Sequence, residues 1–157
     1  MEKLLHLLEE GVSAAHTIDF VKRSLLEKGF EELSLGEEWN LEENGKYYVN
    51  LYGTNMVAFR IGKKIGKQIG KQPAFRVAMA HSDYPHFQIK PEPMLKGKKV
   101  SKLNVDLYGG MYQKSWLDRP LGIAGRVVIR GESAFSPITK LYKSEKALCI
   151  IPSLAIH

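Results

Sequence analysis

The residues best equipped for chemistry in this 157-residue chain lie in the stretch FRVAMAHSDYPHFQIKP, residues 75–91. An apolar run from Phe75 to Ala80 delivers His81, Ser82 and Asp83, followed by Pro85 with His86 beside it. A strand that only fills a core usually stops at Gly, Asn or a turn pair. An imidazole and a carboxylate two residues apart share a face if the extended backbone persists through Ser82. In that geometry the imidazole can bind a metal ion while the carboxylate fixes the ring's orientation and tautomer. A zinc site needs three or more protein ligands, and a two-metal site also needs a bridging carboxylate. On spacing alone, therefore, a strand-end histidine satisfied by its own hydrogen bond is the favoured reading over a metal ligand.

Other candidates carry less. His86, between Pro85 and Phe87, reads as a loop residue before it reads as a second ligand, and His16 reads as a packed or surface imidazole. Tyr108-Gly109-Gly110 is too short for a phosphate loop, since neither Lys-Ser/Thr nor G-x-G-x-x-G follows it. Ser82 and Ser115 lack a nucleophile elbow or a convincing histidine partner. Asp118 beside Arg119 suits either a carboxylate in a site or a structural ion pair. Cys149, the one cysteine, lies in ALCII and reads as a buried thiol in a reducing compartment.

The elements that would position these groups follow from periodicity. Leu4, Leu5, Leu8 and Val12 recur at helical spacing, and Ala15, Ile18, Val21, Leu25 and Leu26 form a second run. Ser13 is a natural N-cap for the second helix, and Gly29 suits its left-handed C-terminal position. FEEL reads as a short strand, and KYYVNLYGTNMVAFRIG as two strands joined by a tight turn at YGTN. KKIGKQIGKQP reads as a wet hairpin tip, and AFRVAMA as a buried strand ending at His81. This is an α/β layer pattern, in which ligands gather beyond the carboxyl ends of strands. From residue 92 the chain turns β-rich, with IAGRVVIRGE and ALCIIPSLAIH as further strands.

Length and a 44% hydrophobic content suit one domain, or one domain and part of another. No apolar run of 18 residues occurs and the start lacks the pattern of a signal peptide, so a cytoplasmic protein without membrane attachment is expected. Net charge is +6, unevenly spread: −7 over residues 1–43, +10 over residues 44–102 and +3 over the remainder. The basic middle lacks clustered aromatics and any zinc-finger or RNP pattern, so its lysines read as a solvated face and no nucleic-acid partner is expected.

Five blocks, taken in order, resemble the N-terminal portion of the M18 metalloaminopeptidases, the aspartyl aminopeptidase family. SAAHTIDFVKRSLLEKGFEEL is similar to the family's opening helix, and EEWNLEENGKYYVNLYGTNMVAFRIG to its Trp-x-Leu, Gly-x-x-Tyr and Ala-Phe sequence. AHSDYPHFQIKP resembles the His-Thr-Asp-Ser-Pro segment with its Lys-Pro follow-up. VDLYGGMYQKSWLDRPLGIAGRVVIRG and IPSLAIH resemble the Tyr-Gly-Gly to Ala-Gly-Arg-Val block and the Ile-Pro-x-Leu-Ala-Ile-His segment. Departures occur at Ala14, where the family has proline, at Ser82 and Tyr84 around the aspartate, and at Pro120, where an acid usually follows Asp-Arg.

The resemblance implies a cocatalytic enzyme with two Zn2+ ions that removes N-terminal, typically acidic, residues from peptides and assembles as a homo-oligomer. It implies that His81 is a zinc ligand, that Asp83 is the carboxylate steadying it, and that Asp118 and Arg119 serve the substrate pocket or the structure. The implied fold is the N-terminal part of a zinc-exopeptidase α/β sandwich over residues 1–91, then the β-rich start of an inserted dimerisation domain over 92–157. The family's remaining ligands and its glutamate base come later in the sequence, so the chain reads as a fragment, inactive alone. The alternative is a non-catalytic assembly remnant of such an enzyme.

Overall fold

In a computed structural model, residues 2–62, 75–97 and 99–154 are described. The expected hairpin tip at 63–73 lies outside these residues, as does the end of the IPSLAIH segment. The described chain is mixed α/β and forms two compact units: residues 1–82 with 124–143, and residues 83–123 with 144–157.

The first unit opens with helices α1 (Glu2–Glu10) and α2 (Ala14–Glu27). The junction is capped as its sequence requires. Ser13 sits in extended backbone and its hydroxyl accepts the His16 N–H, while the Thr17 N–H bonds the Ser13 carbonyl at 2.9 Å. At the other end Gly29 takes φ 74°, and the Gly29 and Phe30 N–H groups bond the Leu26 and Leu25 carbonyls, both at 3.0 Å. That paired arrangement is a Schellman cap, which satisfies carbonyls the helix leaves open. His6 packs edge-on to Phe20, and Arg23 bridges Asp19 and Glu10, tying the helices together.

Strand β2 (Lys46–Leu51) is the middle of a three-stranded sheet, parallel to β1 (Glu31–Glu32) and antiparallel to β3 (Asn55–Arg60). The β2–β3 turn puts Tyr52 and Gly53 at φ 58° and 71°, with the Asn50 side chain accepting the Gly53 N–H. Two successive left-handed residues match the right-handed twist of the flanking strands. Tyr47, Tyr48 and Val49 of β2, with Ala15 and Ile18 of α2, are the buried residues of the described chain. Tyr48 is 0% exposed and its hydroxyl is not wasted: it donates to Glu32 Oε2, which also receives Lys22 Nζ at 2.7 Å. Strands β6 (Ala124–Ile129) and β7 (Ile138–Lys143) form an antiparallel hairpin in this unit. Its ties are Arg126 to the Tyr52 carbonyl at 2.6 Å and Lys143 to the Glu9 carbonyl at 2.7 Å.

The second unit contains a long hairpin, β4 (His86–Lys96) with β5 (Ser101–Tyr108). Its register shifts between Ile89 and Met94, where Pro91 and Pro93 cannot donate to the ladder. Lys90 pairs with Asp106 at 2.8 Å. A 3₁₀ turn, Gln113–Trp116, places Trp116 edge-on to Phe87 at 5.3 Å.

Three expectations are corrected. Phe75–Ala80 is not a buried strand: no strand pairs with it among the described residues, and Phe75 and Met79 are 81% and 92% exposed. A strand exists only where a neighbour takes its N–H and C=O groups and a layer covers its faces. The ALCII run is likewise no strand; it makes isolated bridges, Cys149 with Leu121 and Ile151 with Leu117. His86 is not a loop residue but opens β4, opposite Tyr108.

Candidate functional site

His81 follows the run 75–80, which pairs with no strand among the described residues, and is exposed. Its neighbour Ser82 donates from Oγ to the Thr54 carbonyl at 2.8 Å, anchoring the exit of the run to the β2–β3 turn. The backbone bends at Ser82, so the extended conformation that would put His81 and Asp83 on one strand face does not persist there.

Asp83 begins the second unit and is held from the hairpin. Tyr108, the last residue of β5, donates its phenol hydroxyl to Asp83 Oδ2. The bond favours the protonated phenol and pushes the Tyr108 pKa up, with the carboxylate charge adding to the effect. The Tyr108 ring lies over His86, centroids 4.8 Å apart, and His86 Nδ1 donates to the Tyr84 carbonyl at 2.8 Å. Burial pushes the Tyr84 phenol pKa up as well. In the sequence Tyr108 stands out only as part of Tyr-Gly-Gly, too short for a phosphate loop and one element of a family-like block, with nothing to link it to Asp83. The signal that finds it is hairpin register: pairing the start of β4 with the end of β5 sets Tyr108 opposite His86.

Asp118 adopts φ 55°, donates its N–H to the Ile151 carbonyl and accepts the Ser153 N–H on Oδ1, both at 2.9 Å. The Ser153 hydrogen bonds hold its carboxyl below the usual aspartate range. Arg119 donates to the Ser115 carbonyl at 3.3 Å. These two residues thus tie the 3₁₀ turn and the 151–153 segment within the second unit. His16 is half-buried, 2.8 Å from Ser13 Oγ; burial and the Lys143 charge push its pKa down, so it belongs to the helix cap.

An imidazole and a carboxylate are suitable donor types for zinc, but their number falls short. Among the described residues no group of three His, Cys, Asp or Glu side chains is placed to hold an ion. Two donors do not make a zinc site. No helix among them is long and apolar enough to cross a membrane.

Comparison with known proteins shows which family the segment belongs to. The chain is 40% identical to the probable M18 family aminopeptidase 2 of Clostridium acetobutylicum over 157 residues, 99% of this chain and 35% of that protein. It is 33% identical to aspartyl aminopeptidase 4 of Saccharomyces cerevisiae over 160 residues, 99% of this chain and 31% of that one. Among solved structures, that of the S. cerevisiae mApe1 dodecamer superposes with a TM-score of 0.81 at 27% identity, covering 98% of this chain and 35% of the other. The chain therefore spans about a third of the length of the curated relatives it matches. Since the family model of the aminopeptidase I zinc metalloproteases matches residues 7–157, nearly the whole length, the chain belongs to the M18 family.

Proposed function

We propose that this chain is the N-terminal part of an M18 metal-dependent aminopeptidase that hydrolyses N-terminal, acidic residues from peptides. The observation that carries the reading is the family match over residues 7–157, which includes both His81 and Asp83. On this reading His81 is a zinc ligand and Asp83 the carboxylate that steadies it. The remaining ligands of a two-zinc centre, and the general base, come from polypeptide outside the described residues. Residues 1–91 belong to the peptidase domain and 92–157 to an inserted dimerisation domain, where Asp118 and Arg119 hold structure or border the pocket. The +10 charge of residues 44–102 favours acidic substrates. Homo-oligomer formation is supported by the dodecamer of the similar mApe1, and the compartment is the cytoplasm.

The second reading is a non-catalytic assembly subunit of such an enzyme. Hydrolysis of N-terminal Glu or Asp chromogenic amides with zinc, cobalt or manganese separates the two. The chain alone is expected to be inactive, and the chain completed to the length of its relatives is expected to turn over substrate. His81→Ala is expected to abolish that turnover. No activity in the completed protein would leave the assembly reading standing.

A further inference from the structure

We propose that Tyr108, braced by His86, is a positioning residue for Asp83. This rests on the reading above, in which Asp83 is the carboxylate that steadies the metal-binding histidine. Asp83 lies in an irregular stretch between the bend at Ser82 and the start of β4, so local secondary structure does not fix its side chain. A carboxylate that must orient an imidazole acts through geometry, and outer partners of this kind alter function by about 10- to 100-fold.

The hairpin constrains that side chain directly. Tyr108 is fixed along the chain by its ladder position opposite His86. Its ring rests against that of His86 at a tilt of 36°, and its hydroxyl reaches Asp83 Oδ2. His86 is in turn tied through Nδ1 to the carbonyl of Tyr84, the residue after Asp83. The two bonds close a loop: side chain of Asp83, phenol of Tyr108, ring of His86, main chain of Tyr84. Gly109 tightens it further, since at φ 71° a Cβ there would approach Pro85 Cγ to 3.3 Å. Glycine accommodates both the left-handed backbone and the close approach. Asp83 to Pro85 are thus clamped from the end of β5, and Tyr108 is the member that touches the carboxylate.

The test uses the full-length protein carrying this segment. Fluorotyrosine labelling with 19F NMR, the Tyr108 signal being identified by its loss in Tyr108→Phe, reads the contact without reference to activity. Asp83→Asn is expected to move that signal; an unmoved signal overturns the proposal. Steady-state kinetics then read the role. Tyr108→Phe keeps the ring and is expected to lower kcat about 10-fold with KM unchanged. In the Asp83→Asn background the same change is expected to have no further effect, because Tyr108 acts through Asp83. Loss of activity in Asp83→Asn with unchanged kcat in Tyr108→Phe overturns the positioning role and leaves the Asp83 reading intact. Full activity in Asp83→Asn overturns the reading of Asp83 itself, and the positioning role with it.

Discussion

The stretches KYYVNL and FRVAMA look alike on paper, each short, apolar and rich in residues that favour strands, yet they end in opposite surroundings. The first is the centre of a sheet with Tyr48 wholly buried, while the second lies outside every described strand with Met79 92% exposed. The difference lies in their partners. Residues 46–51 have β1 on one side and β3 on the other, with α2 against β3, whereas no described strand pairs with residues 75–80. Apolar composition licenses burial; a strand also needs someone to take its backbone hydrogen bonds. Both units repeat the contrast, since all five buried residues fall in the first and none of the described residues of the second is buried.

The comparison can be broken by substitution. Tyr48→Ala removes the one fully buried side chain among the described residues and is expected to cost about 3–5 kcal/mol, read as the shift in urea unfolding followed by far-UV circular dichroism. Ser13→Ala removes the cap of α2 and is expected to cost about 1 kcal/mol in the same assay. Glu32→Gln weakens the Lys22 ion pair and the bond from Tyr48. Because the Lys22 side chain is 35% and that of Glu32 40% exposed, the cost is expected to stay below about 1 kcal/mol. Met79→Ser is expected to change stability by less than about 0.5 kcal/mol in this chain. A Met79→Ser cost equal to that of Tyr48→Ala would erase the distinction between the two stretches.

The Glu32 pair also sets a pH dependence. The hydrogen bond from Lys22, with that from Tyr48, holds the Glu32 carboxyl below its ordinary value. Its contribution is therefore full above the unfolded glutamate value and is lost as pH falls through the lowered folded one. The same bond raises the Lys22 pKa, so the lysine's share is full below the unfolded lysine value and is lost as pH rises through the raised folded one. Glu32→Gln is expected to flatten the acid side of the stability curve, measured as midpoint against pH.

Much of the local structure was legible from particular residues. The helical repeat of Ala15, Ile18, Val21 and Leu25, the Ser13 cap and the left-handed Gly29 each act within one or two turns of backbone, and each is present. The YGTN turn is present for the same reason. β7 is not legible in the sequence, since ITKLYK is exposed along its whole length and has no buried face. The ALCII run makes only isolated bridges among the described residues: apolar residues announce burial without saying whether a ladder neighbour exists. At the site, His81 and Asp83 were visible as residue types at a suggestive spacing. Tyr108 was not, because its link to Asp83 spans a hairpin whose register the proline-bearing strand β4 partly interrupts.

By itself the amino-acid sequence determined the helices, their caps, the β2–β3 hairpin and membership of the M18 family, all of which depend on neighbouring residues or on ordered motifs. Only the tertiary structure decided that Tyr48 is buried, that residues 75–80 are not, and that Asp83 is gripped by Tyr108. Burial, strand pairing and a side chain's partner are set by groups distant along the chain, and no local pattern carries that information.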